Sequence, residues 1–402
     1  MKLKKFIYGA ALGVLSLTCA SCYNADHEFP DFEGGTTAYF AYQFPVRTVV
    51  LGNDIYDNKI DNEHKIHIYS TMGGAYGGRD AYVDITVDES LCENLWFVDE
   101  GGNPDRLVSP MPSNYYSLSS NVIPYNGDQR GYVEVQLTDA FFNDPKAIEE
   151  TYVIPLRMTG VRGIDHILSG TPREGLSPSR TNTEDWDILA KDYVLYCVKY
   201  MNPWDAKYIR RGVDIVTENG VTTTIVRKDF SLVNSDIEHY KENPVNQNDE
   251  VCDILTKNMT QAIFTVSFNI GEDAHGNRPS QKCSLLLTFS GDNCTITSED
   301  EDVPSTGSGE FIEKGSGRPE FKDYQWQGVG KADERDILRL SYNVTFKKGR
   351  VIGKYTVREG GKDVEKDWIL EDDITISTTD TLVVQTREAN KKVFFSPKYV
   401  KQ

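Results

Sequence analysis

Hydrophobic and polar residues alternate with period two in short runs along most of this chain. Lys65-Ile66-His67-Ile68-Tyr69-Ser70 is one such run, and Ala81–Val87, Gly131–Leu137 and Tyr152–Met158 follow the same pattern. A period of two puts successive side chains on opposite faces of a strand. Between the runs lie turn signals: Gly73-Gly74, Gly77-Gly78, Gly101-Gly102-Asn103-Pro104 and Asn126-Gly127-Asp128. Short strands at this spacing predict a β-sandwich or barrel, here over residues 34–165. Residues 166–187 have turn composition without periodicity and read as a linker. The next β-rich domain is expected over 188–402. Its strand candidates are Thr222–Arg227, Ile263–Asn269, Cys283–Ser290, Phe311–Lys314, Ile337–Phe346, Lys354–Arg358, Ile374–Thr378 and Thr381–Arg387. Strands joined in sequence order, with ends able to meet, predict an up-and-down barrel or a closed sandwich. One helix is expected at Asn248–Met259, with Asn248 or Asp249 as N-cap. Asp139–Ala147 has room for a helical turn.

The N-terminus departs from this pattern. Lys2, Lys4 and Lys5 precede an apolar run, Phe6–Thr18, which ends in Cys19-Ala20-Ser21-Cys22. That is a bacterial secretion leader with small residues ahead of a cysteine. It predicts cleavage after Ser21, lipidation of Cys22 and an acidic tether over 22–33. A plain secretory leader cleaved near Ala20, or acylation at Cys19, are the competing readings. No later apolar run reaches the roughly 18 residues that a spanning helix needs. The membrane is therefore expected to hold the chain through the lipid alone.

Composition narrows the function. Lys and Arg number 43 against 61 Asp and Glu, a net charge of −18. Nucleic acid needs a basic footprint, so that partner is not expected. Beyond the leader, Cys92, Cys197, Cys252, Cys283 and Cys294 form no C-x-x-C pair. They read as buried thiols, with a Cys283–Cys294 disulfide as the alternative. No nucleophile elbow, H-E-x-x-H, phosphate loop or dinucleotide fingerprint occurs. His64 and His67, three apart on a strand, read as surface residues rather than a metal pair. Glu299-Asp300-Glu301-Asp302 lacks the order of a calcium loop. No cofactor and no metal is expected.

Two passages resemble a known family. Thr151–Met158 resembles the closing strand of the N-terminal β-sandwich domain found in Bacteroidetes surface lipoproteins. Tyr196-Cys197-Val198-Lys199-Tyr200-Met201-Asn202-Pro203-Trp204, followed by Tyr208 and Gly212, resembles the leading strand of the lipocalin-like domain behind it. The passage holding Trp326 and Arg335–Tyr342 is similar to that same domain. The resemblance implies an all-β chain, an N-terminal Ig-like β-sandwich followed by a lipocalin-like β-barrel. It also implies a gene in a polysaccharide utilisation locus, an outer-membrane, cell-surface address and a role in holding glycan beside an importer. The related sandwich can precede chitinase-like barrels, but their D-x-x-D-x-D-x-E strand is absent here.

A non-catalytic glycan binder needs exposed aromatic rings, which stack on sugar faces, and a few hydrogen-bonding groups. Trp326, beside Tyr324 and two glutamines, is the first stacking candidate, and Trp368 is the second. Tyr115-Tyr116 is a candidate platform at the sandwich edge. Trp96 and Trp204 read as core, and Asp380-Thr381-Leu382 resembles an O-glycosylation site. The expected partners are a polysaccharide or oligosaccharide and the importer. The alternatives are an adhesive or structural surface protein and an unrecognised glycoside hydrolase.

Overall fold

The computed structural model describes residues 31–54, 56–227, 250–271, 278–314, 325–326, 330–331, 334–387 and 393–401. The leader, Cys22, most of the 22–33 tether and Tyr324 lie outside the described residues.

The N-terminal region is a sandwich of two facing sheets. One runs His166–Ile167, Thr37–Tyr39, Lys65–Gly73, Arg130–Leu137, Tyr116–Leu118. The other runs Val46–Val50, Tyr193–Met201, Tyr152–Arg162, Tyr82–Val87, Val122–Pro124. Period-two alternation decides which side chains meet between them. Ile66 and Ile68 of the first sheet share a buried cluster with Ile154, Leu156, Val194 and Val198 of the second. Each such aliphatic side chain stabilises the fold by about 1.5–3 kcal/mol when fully buried. Asp139–Phe142 and Pro145–Ile148 form the short helical turns foreseen there.

Two expectations about the boundary need correction. Residues 166–187 are not a free linker. His166–Ile167 pairs with the first sheet, Arg180 makes a two-pronged contact with Asp192, and the buried Trp186 indole donates to the Ser179 carbonyl at 2.8 Å. Tyr193–Met201, the expected leading strand of the second domain, belongs to the sandwich. It pairs antiparallel with Tyr152–Arg162 and parallel with Val46–Val50. Its two apolar faces explain the placement. Val194 and Val198 face the sandwich core, while Tyr193, Leu195 and Cys197 face a second small cluster with Leu95, Phe97 and Phe395. The C-terminal strand Lys398–Tyr399 pairs there with Leu95–Val98, so the last residues of the chain pack on the N-terminal region.

The C-terminal region is a closed barrel of eight antiparallel strands. In order they are Ala206–Glu218, Glu250–Thr256, Gln261–Asn269, Ser280–Ser290, Asn293–Ser298, Ser305–Ile312, Ile337–Phe346 and Ile374–Thr386. The last pairs with the first from Lys207–Thr386 to Thr217–Thr375 and closes the ring. Glu250–Thr256 is a strand, not the expected helix. Cys252 and Ile254 point inward while Val251 and Leu255 are exposed, so apolar residues on both faces imitate a helical stripe. The interior is filled by Phe264, Leu285, Leu287, Leu340, Phe346 and their neighbours. The Trp204 ring stacks on Phe289 at 3.7 Å and floors the end nearest the sandwich.

The barrel also buries a charged cluster. Arg210 and Asp380 are each 1% exposed. Arg210 Nε donates to Asp380 at 2.9 Å, its Nη1 to Glu250 at 3.0 Å and its Nη2 to the Tyr342 hydroxyl at 3.0 Å. Arg227 donates to the other Asp380 oxygen at 2.6 Å and pairs with Asp214. Burial opposes the Arg210 charge, but Asp380, Tyr342 and Glu250 outweigh it and hold its pKa above the usual arginine value. A Cβ at Gly212 would overlap the Asp380 carboxylate and the Thr379 carbonyl, which is why glycine stands there. Asp380 and Thr381 are therefore buried, and the O-glycosylation reading of Asp380-Thr381-Leu382 fails for want of access. The five described cysteines are free, buried thiols.

One arginine ties the two regions together. Arg387, at the end of the last barrel strand, donates to the carbonyls of Leu51, Asn53, Asn202 and Asp205. The sandwich thus sits at the end of the barrel where Ala206–Glu218 begins and Ile374–Thr386 finishes.

Candidate functional site

The up-and-down order sends successive strand connections to alternate ends of the barrel. The connection after Ser305–Ile312 lies at the sandwich end, where Lys314 Nζ donates to the Asp54 carbonyl at 3.0 Å. It carries Gln325–Trp326, whose backbone pairs with Gly330–Lys331. The connection after Ile337–Phe346 lies at the far end and forms the hairpin Val351–Glu359/Lys362–Ile369. Trp368 belongs to this hairpin. The first and second stacking candidates are therefore at opposite ends of the barrel and cannot share one site.

The hairpin follows from its sequence. Gly360-Gly361 takes positive φ at the turn, and Val357 and Val364 face each other across the strands. It rests on the barrel through Ile352 and Leu370, which are buried in the barrel core. Gly271 makes room for them: its φ is +67°, and a Cβ there would strike the end of Ile352. Gly353 pairs with Trp368 and Tyr355 with Lys366, which puts both rings on one face of the hairpin. The rings meet edge-on, with centroids 6.1 Å apart at 75°. Trp368 is half-buried against the barrel core, and Tyr355 is 41% exposed.

These rings line a cleft of about 870 Å³ at the far end of the barrel. Asn219, Asp367, Glu371, Asp372 and Lys348 supply polar groups on its walls. Glu218, also on the wall, is paired with Arg278 at 3.0 Å. The chemistry available is a ring face beside carboxylates, an amide and an ammonium, a set that grips hydroxyl-bearing ligands with apolar faces.

Tyr115 and Tyr116 do not form a platform. Both are half-buried against the sandwich core. The Tyr115 hydroxyl donates to Asp144 at 2.9 Å, and its ring meets Phe141 and Tyr152 edge-on. That hydrogen bond, helped by partial burial, raises its pKa. Trp204 is buried as expected. Trp96 is half-buried, because the strand turns Leu95 and Phe97 inward instead. His64 takes φ +59° before its strand and packs on Phe142, while His67 stacks on Tyr132. In the acidic loop, Asp300 pairs with Arg350 at 3.1 Å. Among the described residues no group of three potential metal ligands occurs.

The sequence reading missed Tyr355. Its alternation was visible in Lys354–Arg358, but the partner strand Lys362–Ile369 was not recognised. Without that strand, nothing placed Tyr355 beside Trp368.

Comparison with known proteins places this arrangement. A solved structure from Bacteroides ovatus, of unknown function, is 36% identical, with a TM-score of 0.72. The match covers 92% of this chain and 100% of that one. This chain belongs to that protein's family. Within it, residues 203–388 match a domain of unknown function, DUF5627, and residues 32–165 match the model of an N-terminal domain. The DUF5627 domain is the closed barrel with its hairpin, and it begins just after Tyr193–Met201. No curated protein matches the chain.

Proposed function

We propose that this family member is a lipid-anchored, non-catalytic protein of the cell surface that captures polysaccharide for an outer-membrane importer. One observation carries the reading: the Tyr355–Trp368 ring pair beside an open cleft whose walls bear an amide, a lysine and carboxylates. Sugar rings offer apolar C–H faces to such rings and hydroxyls to such walls. The barrel interior is packed by Phe264, Leu285, Leu287, Leu340 and Phe346, so a ligand of this end would sit at the mouth rather than in a lumen. The anchor rests on Cys22 and the small residues before it. With a net charge of −18, neutral glycans are the favoured class.

A hydrolase would need two free carboxylates across a cleft, one of them proton-bearing. Burial raises the Asp61 and Asp205 carboxyls, but Asp61 is held by Arg47 and by the Val50 N–H at 2.8 Å, and Asp205 by the Thr256 N–H at 2.7 Å and hydroxyl at 2.6 Å. Neither acid lines the Tyr355–Trp368 cleft, which supports binding without reaction. A second reading, adhesion to a protein partner, is favoured by the exposed Val221, Ile225 and Val226 on the strand that edges the barrel.

Affinity electrophoresis of residues 23–402 through gels containing soluble β-glucan, xylan or mannan tests the reading. The expected result is retardation by one glycan, no shortening of that glycan, and weaker retardation in Trp368→Ala. No retardation by any glycan overturns the reading and moves weight to adhesion.

A further inference from the structure

A second set of rings lies on the sandwich, far from the hairpin in sequence. The outward residues of Lys65–Gly73 include His67 and Tyr69, opposite to the buried Ile66 and Ile68. The outward residues of Arg130–Leu137 include Arg130, Tyr132 and Glu134, opposite to the buried Val133 and Val135. Register sets Tyr69 directly across from Tyr132 and His67 across from Glu134. The Tyr69 and Tyr132 centroids are 5.4 Å apart, and the His67 ring stacks on Tyr132 at 4.1 Å and 25°. Tyr69 is 49% and Tyr132 46% exposed.

Cross-strand aromatic pairs stabilise sheets wherever they occur. Three features go beyond that role. The rings lie on the second and third of four consecutive antiparallel strands, not at an edge. They are held in place: His67 Nδ1 is 3.3 Å from the Tyr69 hydroxyl, and its Nε2 is 3.7 Å from Glu134. Polar groups border them, with the Arg130 guanidinium 6.0 Å from the Tyr69 ring and Lys65 Nζ 3.4 Å from Glu134. Rings already fixed in place lose little freedom when a ligand settles on them.

We propose that His67, Tyr69 and Tyr132 form a second glycan-binding surface, an aromatic strip across two strands of the sandwich that takes an unbranched run of neutral pyranosides. It rests on the glycan-binding reading above and adds a second subsite to it. The Tyr69 ring is turned 52° from Tyr132 and 77° from His67, so successive sugars of an extended chain meet differently turned rings, and Arg130, Lys65 and Glu134 supply both donors and acceptors for its hydroxyls. Two sites on one anchored chain hold a polymer more firmly than either alone.

The test uses residues 23–402 in the same β-glucan, xylan and mannan gels, with four proteins: the parent, Trp368→Ala, Tyr69→Ala/Tyr132→Ala, and the triple variant. Tyr69→Phe/Tyr132→Phe is the control that keeps the rings, and matching circular dichroism verifies folding. The expected result is that Trp368→Ala retains part of the retardation. Tyr69→Ala/Tyr132→Ala is expected to weaken it about tenfold, which corresponds to roughly 1.4 kcal/mol. The triple variant should run as if no glycan were present, and the phenylalanine pair like the parent. If Trp368→Ala alone removes all retardation, the platform is refuted and the cleft stands. If the tyrosine pair alone removes it, the platform stands and the cleft fails. If the parent is not retarded, both fall.

Discussion

The sandwich and the barrel are built from the same period-two alternation, yet they place polarity in opposite ways. The sandwich buries a core of aliphatic and aromatic side chains, pairs its buried acids Asp61 and Asp192 with partly exposed arginines, and leaves His67, Tyr69 and Tyr132 on its outer face. The barrel takes charge inside, closing Arg210, Asp380, Tyr342 and Glu250 into one network. Alternation announces a strand; it does not say which of the two sets faces in. Where the inward set is apolar, fold and sequence agree at once. Where the inward set carries charge, the strand is hard to see and its role harder still.

The strongest way to break this contrast is to strip the barrel of its buried anion. Asp380→Ala leaves Arg210 and Arg227 without their shared counter-ion, and losing one partner of a buried pair costs about 3–5 kcal/mol. Guanidinium unfolding should reveal a loss of that size. An unchanged midpoint would mean that water reaches the cluster. Gly212→Ala pushes a methyl into the same carboxylate and should cost about 1–3 kcal/mol by overpacking. Stability equal to the parent would show that the strand pair gives way freely.

Smaller effects belong to the sandwich. Asp144 accepts from the Tyr115 and Tyr152 hydroxyls and from the Lys146 N–H. Burial opposes its charge, but those hydrogen bonds outweigh it and lower its pKa from 3.8. A lowered folded-state pKa means stability that is complete above the unfolded value and is lost as pH falls through the folded one. Asp144→Asn should therefore melt below the parent at pH 7, with the gap closing in acid below pH 4. A gap independent of pH would assign the effect to geometry rather than charge. Smallest of all, Tyr69→Ala/Tyr132→Ala should cost about 0.2–1 kcal/mol as a surface cross-strand pair. A larger loss would make those rings structural.

These differences also mark what could be read from the chain. Lys65–Ser70, Gly131–Leu137 and Ile337–Phe346 were legible because apolar residues, mostly isoleucine, valine and leucine, recur at alternate places. Ala206–Glu218 was not, since its inward set is Ala206, Tyr208, Arg210, Gly212, Asp214 and Val216. Glu250–Thr256 misled because apolar residues occur on both faces. Tyr193–Met201 was seen as a strand but assigned to the wrong sheet, because a strand buried on both sides carries no mark of its neighbour. At the site, Trp368 was found as a residue but its partner Tyr355 was not. Hairpin register, which joins them, depends on the Gly360-Gly361 turn rather than on periodicity. His67, Tyr69 and Tyr132 were present in the alternation as the outward set. Only the register of Tyr69 with Tyr132 turns them into one surface.

The central claim is that aromatic surfaces on this chain hold glycan without cleaving it. Isothermal titration of residues 23–402 with the oligosaccharide of whichever glycan retards it, followed by chromatography of the recovered sugar, addresses both halves. The account predicts heat of binding in the parent, weaker binding in Trp368→Ala, and oligosaccharide recovered at its starting length. Shortened product, or titration heats identical in the parent and in Trp368→Ala, would contradict it.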